Sequence, residues 1–151
     1  MIILKKADRD ALIEHAIREF PDEACGILAG PPSHSPVCRA GLNLPYSNTV
    51  LRRVTRIYEM TNTDKTAATF FMDAKEQFKV MKEIRNSGLE MVGIYHSHVA
   101  SEGYPSSHDV EMAFYPEVSY VIVSLVDKDK PDIRSFKIKE GKIEEEELKI
   151  A

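Results

Sequence analysis

Two histidines one residue apart, His96-Ser97-His98, are followed after seven residues by Ser106-Ser107-His108-Asp109. The apolar run Met91-Val92-Gly93-Ile94-Tyr95 just ahead of them reads as a strand. On a strand, residues i and i+2 face the same way, so the two imidazoles can converge on one point. Ser106-x-x-Asp109 ahead of Val110 and Ala113 has the pattern of a capped helix start. A seven-residue loop can fold that first turn back over the strand end and add a carboxylate. Two imidazoles and a carboxylate are a common catalytic ligand set for Zn²⁺, with a fourth position left for water. Nitrogen and oxygen donors without a thiolate also suit zinc. Each part alone is ordinary, since H-x-H arises by chance and a capped helix needs no catalysis. Their close succession is what predicts a metal site at His96, His98 and Asp109.

Hydrolysis needs one more group, a base that takes a proton from water and returns it to the leaving amine. Zinc can lower the pKa of water to near 7, which brings that proton within reach of a carboxylate. Glu23, ahead of the apolar run Ala24–Gly30, is one candidate; Glu90, Glu102 and Glu111 lie nearer the histidines in sequence. Spacing does not choose among the four. His15 and His34 receive no role, and His108 is placed beside the site or at the surface. Cys25 and Cys38 read as small buried hydrophobes rather than as a disulfide framework.

The elements that would position these groups follow from periodicity and punctuation. Asp8 or Asp10 can cap a first helix whose stripe is Leu12, Ala16 and Phe20, with Ile13 and Ile17 beside it and Pro21 as its stop. Ala24–Gly30 reads as a buried strand and the proline-rich 31–36 as a turn. Strands are expected around Val37–Leu44 and at Arg56–Met60, within a polar segment from Tyr46 to about Thr69. Asp73 opens the clearest helix, with Ala74, Phe78, Met81 and Ile84 on its apolar face and Gly88 as its stop. After His98 come a loop, a short helix from about Ser106 to Tyr115, and a β-branched strand over Val118–Val126. Ile133–Ile138 is β-forming, and the acidic run Glu144–Glu147 reads as a solvated face. This alternation predicts one α/β sandwich with a mixed sheet flanked by helices.

Bulk properties set the limits. The 151 residues, 43% hydrophobic and 29% charged, suit a single globular domain over 1–151. A net charge of -4 argues against a general nucleic-acid binder. No apolar stretch approaches the roughly 18–20 residues of a membrane span, and MIILKKADRD lacks the apolar core of a secretory signal. A cytoplasmic protein is the expectation. Oligomeric state leaves no mark in the sequence.

Taken together, Pro21-Asp22-Glu23-Ala24-Cys25-Gly26-Ile27-Leu28-Ala29-Gly30, Gly93-Ile94-Tyr95-His96-Ser97-His98 and Pro105-Ser106-Ser107-His108-Asp109 resemble the JAMM (MPN+) metalloproteases. Their pattern is a distant Glu, then H-x-H, seven residues, S, two residues, D. The resemblance spans nearly the whole chain and implies a JAMM/MPN fold, a mixed-sheet sandwich related to the cytidine deaminases. It implies His96, His98 and Asp109 as zinc ligands, Glu23 as general acid/base and Ser106 as a hydrogen-bond donor to the developing oxyanion. Compact members of this type often carry Pro after H-S-H; Val99 stands there instead, which predicts a looser loop over Val99–Tyr104. The implied substrate is a ubiquitin-like or sulfur-carrier protein cleaved after its C-terminal Gly-Gly, its tail paired to a strand edge. Tyr46–Thr69 is the expected cleft wall. The rivals are a deubiquitinase-type isopeptidase, for which the chain offers little docking surface, and a non-catalytic MPN scaffold, which would have lost ligands. A nucleoside deaminase would need H-x-E and P-C-x-x-C, both absent.

Overall fold

A computed structural model describes residues 1–42 and 49–151. Its elements in chain order are β1 (Ile2–Leu4), α1 (Lys6–Glu19), β2 (Cys25–Gly30), α2 (Pro36–Arg39), β3 (Arg52–Arg53), β4 (Arg56–Met60), α3 (Ala74–Asn86), β5 (Glu90–His98), α4 (Ser107–Glu111), β6 (Ser119–Ser124), β7 (Asp132–Lys139), β8 (Lys142–Glu146) and β9 (Leu148–Ile150). Six of the strands form one sheet in the order β4-β2-β5-β6-β7-β8, and β3-β1-β9 form a smaller one. Within the larger sheet only β5 and β6 run parallel. A parallel pair needs a crossover, and α4 lies in it. The mixed sheet between helices is the architecture expected from the sequence.

The two faces of the larger sheet bury different halves of the core. Leu12 and Ala16 of α1 pack with Leu28, Val92, Tyr95, Val121 and Val123. Ile84 of α3 and Val110 of α4 pack with Ile27, Ile94, Ile122, Phe136 and Ile138 on the other side. Central strands buried on both faces lack a polar alternation, and β2 and β6 are buried at every position. Gly26 is required in β2 because the Tyr95 ring lies where its Cβ would be.

Several local expectations need correction. Asp8 does not cap α1: Lys5 is the cap residue, and the Asp8 carboxylate accepts the Lys5 N–H from inside the first turn (3.1 Å). The buried stripe of α1 is Leu12, His15 and Ala16, whereas Ile17 and Phe20 face solvent. Asp73 does cap α3, accepting the Glu76 N–H (2.9 Å), and Gly88 takes the positive φ of 67° that ends it. The inward face of α3, however, is Val80, Met81 and Ile84, while Ala74 and Phe78 are exposed. The strand expected from Val37 is instead α2, because Ser35 caps it through the Val37 N–H (3.1 Å) and Pro36 is preset for a first helical position. Residues 40–42 of that expected strand are not in a strand either, and its last two residues, with Tyr46, lie outside the described residues. Among the described residues no helix is long and apolar enough to cross a membrane.

Candidate active site

The C-terminal end of β5 carries both histidines on the face covered by α3 and α4, beside the strand end of β6 where Ser124 pairs with His98. The crossover then returns α4 over this end. Ser106 caps α4 reciprocally: its Oγ accepts the Asp109 N–H (3.1 Å), and its own N–H donates to Asp109 Oδ2 (2.8 Å). That same Oδ2 lies 3.1 Å from His98 Nε2 and 3.3 Å from His96 Nε2, and the two Nε2 atoms are 3.1 Å apart. So the helix cap aims the carboxylate. His96, His98 and Asp109 are all buried.

Three lone-pair atoms in a triangle of this size fit one cation. Tetrahedral zinc bonds of about 2.0–2.1 Å set their donors roughly 3.3 Å apart. Among the described residues this is the one group of three or more His, Cys, Asp or Glu donors close enough to share an ion. Burial lowers the pKa of His96 despite its hydrogen bond to Asp109, which favours the neutral, ligating form. For His98, burial pulls the pKa down, but the Asp109 hydrogen bond and the Glu102 carbonyl outweigh it and leave it raised. Burial likewise opposes ionisation of Asp109; the hydrogen bonds from the two histidines dominate and hold its carboxyl well below the usual range.

The two imidazoles are held differently. His98 Nδ1 lies 2.8 Å from the Glu102 carbonyl, which fixes Nδ1 as the protonated nitrogen and turns the Nε2 lone pair to the cluster. His96 Nδ1 is buried with no partner, and its ring is held by stacking on Phe70, centroids 4.7 Å apart. The 99–104 loop is anchored, contrary to the looser loop expected from Val99. Val99 is buried, Ser124 Oγ donates to the Ser101 carbonyl (2.6 Å), and Tyr104 packs edge-on to Phe136.

Glu23 reaches the site from the residues just ahead of the adjacent strand, β2. Cys25 pairs with His96 across β2 and β5, and one step beyond, Ser97 Oγ accepts the Ala24 N–H (2.8 Å). Ser97 points to the opposite face from the histidines, so one tripeptide serves both the ligand set and the segment bearing Glu23. Glu23 is 3% exposed, and its Oε2 has no hydrogen-bond partner. Burial pushes its carboxyl up to about 8, opposed by His98 and reinforced by Asp109 and Asp64. Glu90, Glu102 and Glu111 are all exposed. Ser106 is half-buried, and its hydroxyl caps α4 as an acceptor, which leaves its own proton available to donate.

A cleft of about 210 Å³ opens beside the three donors, between α3 and α4. His96 and Asp109 form part of its wall, Ile94, Ile122 and Ile138 its depth, and Phe71 and Phe114 its rim. The expected wall, Tyr46–Thr69, stops just short of Phe70, Phe71 and Met72, which line it. Sequence reading missed Phe70 and Asn62, which belong to no ligand motif, and Ser97, which fills the variable position of H-x-H. His15, given no functional role, is 3% exposed and bonded to the Tyr95 hydroxyl (2.8 Å) in the core. Cys25 and Cys38 are free and buried, as expected of small hydrophobes.

The family model described as prokaryotic homologs of the JAB domain matches residues 5–139. The chain is 35% identical over 150 residues to the CysO-cysteine peptidase of Mycobacterium tuberculosis, covering 99% of this chain and 91% of that relative. It is 29% identical over 121 residues to the desampylase of Haloferax volcanii, covering 77% and 75%. A protein from Desulfitobacterium hafniense, solved in solution, superposes with a TM-score of 0.83 at 35% identity, covering 100% of this chain and 93% of that one. A JAB1/MPN domain protein from Archaeoglobus fulgidus shares the fold at 16% identity, with a TM-score of 0.58 and coverage of 99% and 98%.

Proposed function

This chain belongs to the prokaryotic JAB-domain family, and from that premise we propose that it is a zinc-dependent peptidase acting after the C-terminal Gly-Gly of a ubiquitin-like sulfur-carrier protein. One observation carries the reading: a buried triangle of two imidazole nitrogens and a carboxylate oxygen, with a buried carboxylate just ahead of the neighbouring strand. When bound, zinc supplies Lewis-acid polarisation of a carbonyl and acidifies water.

The protein's own groups do the rest. His96, His98 and Asp109 hold the metal, with Asp109 aimed by the Ser106 N–H and His98 oriented by the Glu102 carbonyl. Glu23 takes the proton from water and passes it to the leaving amine. Its carboxyl, raised by burial, lies near neutrality rather than in the ordinary acid range, and a cation nearby draws it back down. Ser106 donates its hydroxyl proton to the oxygen on which negative charge develops. The apolar cleft excludes water from one side and receives the substrate's tail. Relatives named CysO-cysteine peptidase and probable TtuB-protein conjugate cleaving protease support a small carrier protein as substrate.

The substrate is tested by incubating the zinc-loaded protein with sulfur-carrier proteins extended beyond Gly-Gly and with lysine-linked ubiquitin chains, the products being read by mass spectrometry. Cleavage directly after Gly-Gly of a carrier is expected. Cleavage of ubiquitin chains alone would overturn the substrate, and no cleavage of either would overturn the activity.

Metal binding should also depend on pH in a defined direction. A proton and the metal compete for Nε2 of His98, whose pKa is raised in the metal-free site. Zinc affinity is therefore expected to begin falling above the ordinary histidine pKa of about 6.5 and to keep falling as the solution is acidified. Competition against a chelator between pH 5 and 8 reads this directly. A flat profile would remove His98 from the ligand set.

A further inference from the structure

We infer that Asn62 is a positioning residue for Glu23 and fixes the base and the cleft wall in one relation. The inference rests on the reading of Glu23 as the base. Asn62 lies just beyond β4 and is 8% exposed. Its Nδ2 donates to the Glu23 carbonyl (3.0 Å) and to the Thr69 carbonyl (3.1 Å). Its Oδ1 accepts the Asp64 and Phe71 N–H groups, each at 3.0 Å. The side chain thereby uses both of its N–H donors and both acceptor sites.

One of those four partners is the base's own peptide, and the other three belong to the loop that brings Phe70 and Phe71 to the cleft. The same loop holds the other side of Glu23, whose N–H donates to the Thr66 carbonyl (2.8 Å). From the opposite side Ser97 holds the next residue through the Ala24 N–H. Glu23 is thus clamped between the strand that carries the histidines and the loop that carries the aromatic wall. Its Oε2 makes no hydrogen bond, so that oxygen is placed by the backbone beneath it rather than by a partner of its own. Phe70 stacks on His96, so a shift of this loop would move the base and the packing of one ligand together.

A displacement of about 1 Å at a reacting group can cost on the order of 10²-fold in rate. Asn62→Asp keeps the shape and the acceptors but removes the donors to Glu23 and Thr69; Asn62→Ala removes all four bonds. On zinc-loaded protein, with rates normalised to bound metal, each is expected to lower kcat by roughly 10- to 100-fold while KM moves by much less. The deciding measurement is a double-mutant cycle with Glu23→Gln. If Asn62 acts through Glu23, its substitution has little further effect once the base is gone, because coupled residues are not additive. An equal fold-loss from Asn62→Ala in both backgrounds, or an unchanged kcat, overturns the inference. Should Asn62→Ala fail to fold, the isosteric Asn62→Asp completes the cycle. A Glu23→Gln variant as active as the parent would instead overturn the base assignment, which separates the two failures.

Discussion

Glu23→Gln is expected to bind zinc like the parent protein and to hydrolyse substrate roughly 10²–10⁴-fold more slowly, the usual contribution of a positioned acid–base group. The substitution keeps size and removes the ability to ionise. In the metal-free state it should cost no stability, because burial already disfavours the charged form of Glu23. The sign is definite. A carboxyl whose folded-state pKa is raised stabilises the fold fully below its unfolded value and loses that contribution as pH rises through about 8. The neutral amide has no such dependence, so metal-free Glu23→Gln should resist alkaline unfolding better than the parent. Melting curves at pH 6 and pH 9, run beside the kinetics, check both halves. A variant with parental turnover would end the role of Glu23 as base.

Asp109→Ala is expected to abolish both metal binding and turnover. It removes one of three protein donors, a larger loss than the roughly 10–100-fold that follows removal of an outer partner of a ligand. It also takes away the acceptor of the Ser106 N–H, so α4 loses half of its reciprocal cap. Asp109→Asn separates the two effects, since an amide oxygen can still accept that N–H but carries no charge for the metal. Metal content is expected near zero for Ala and strongly reduced for Asn, with helix stability retained only in Asn. Zinc stoichiometry near one in the Ala variant would remove Asp109 as a ligand.

Much of this site could be read from spacing because its parts are local. Two histidines on one strand face, and a carboxylate in the first turn of the next helix, follow from strand period and capping chemistry. Glu23 could not be found that way. Its relation to His96 is a cross-strand register between β2 and β5, and no periodicity within either segment encodes which strands will be neighbours. Only the resemblance to a family named it ahead of Glu90, Glu102 and Glu111. The fold class followed from the alternation of elements, but faces were misread where one apolar side chain was exchanged for another. Phe78 belongs to the α3 stripe by type, yet Val80 is the residue turned inward. His15, which receives no functional role from the sequence, is a buried histidine satisfied by the Tyr95 hydroxyl. The turn before α2 is present as expected up to Ser35, but a Ser-Pro pair marks helix starts as well as turns, so the strand expected from Val37 is a helix.

The bond from the Ala24 amide to Ser97 joins positions 73 residues apart, and its consequence concerns when the protein becomes active. Closing a contact of such long range costs chain entropy before the contact rewards it. The strands it joins are interior to the sheet, with β4 on one side and β6 on the other. No fragment of the chain assembles base and histidines without that pairing. A partly unfolded molecule in which β2 and β5 are apart therefore holds Glu23 and the two histidines without their mutual arrangement, so the proposed mechanism requires that pairing to be made first.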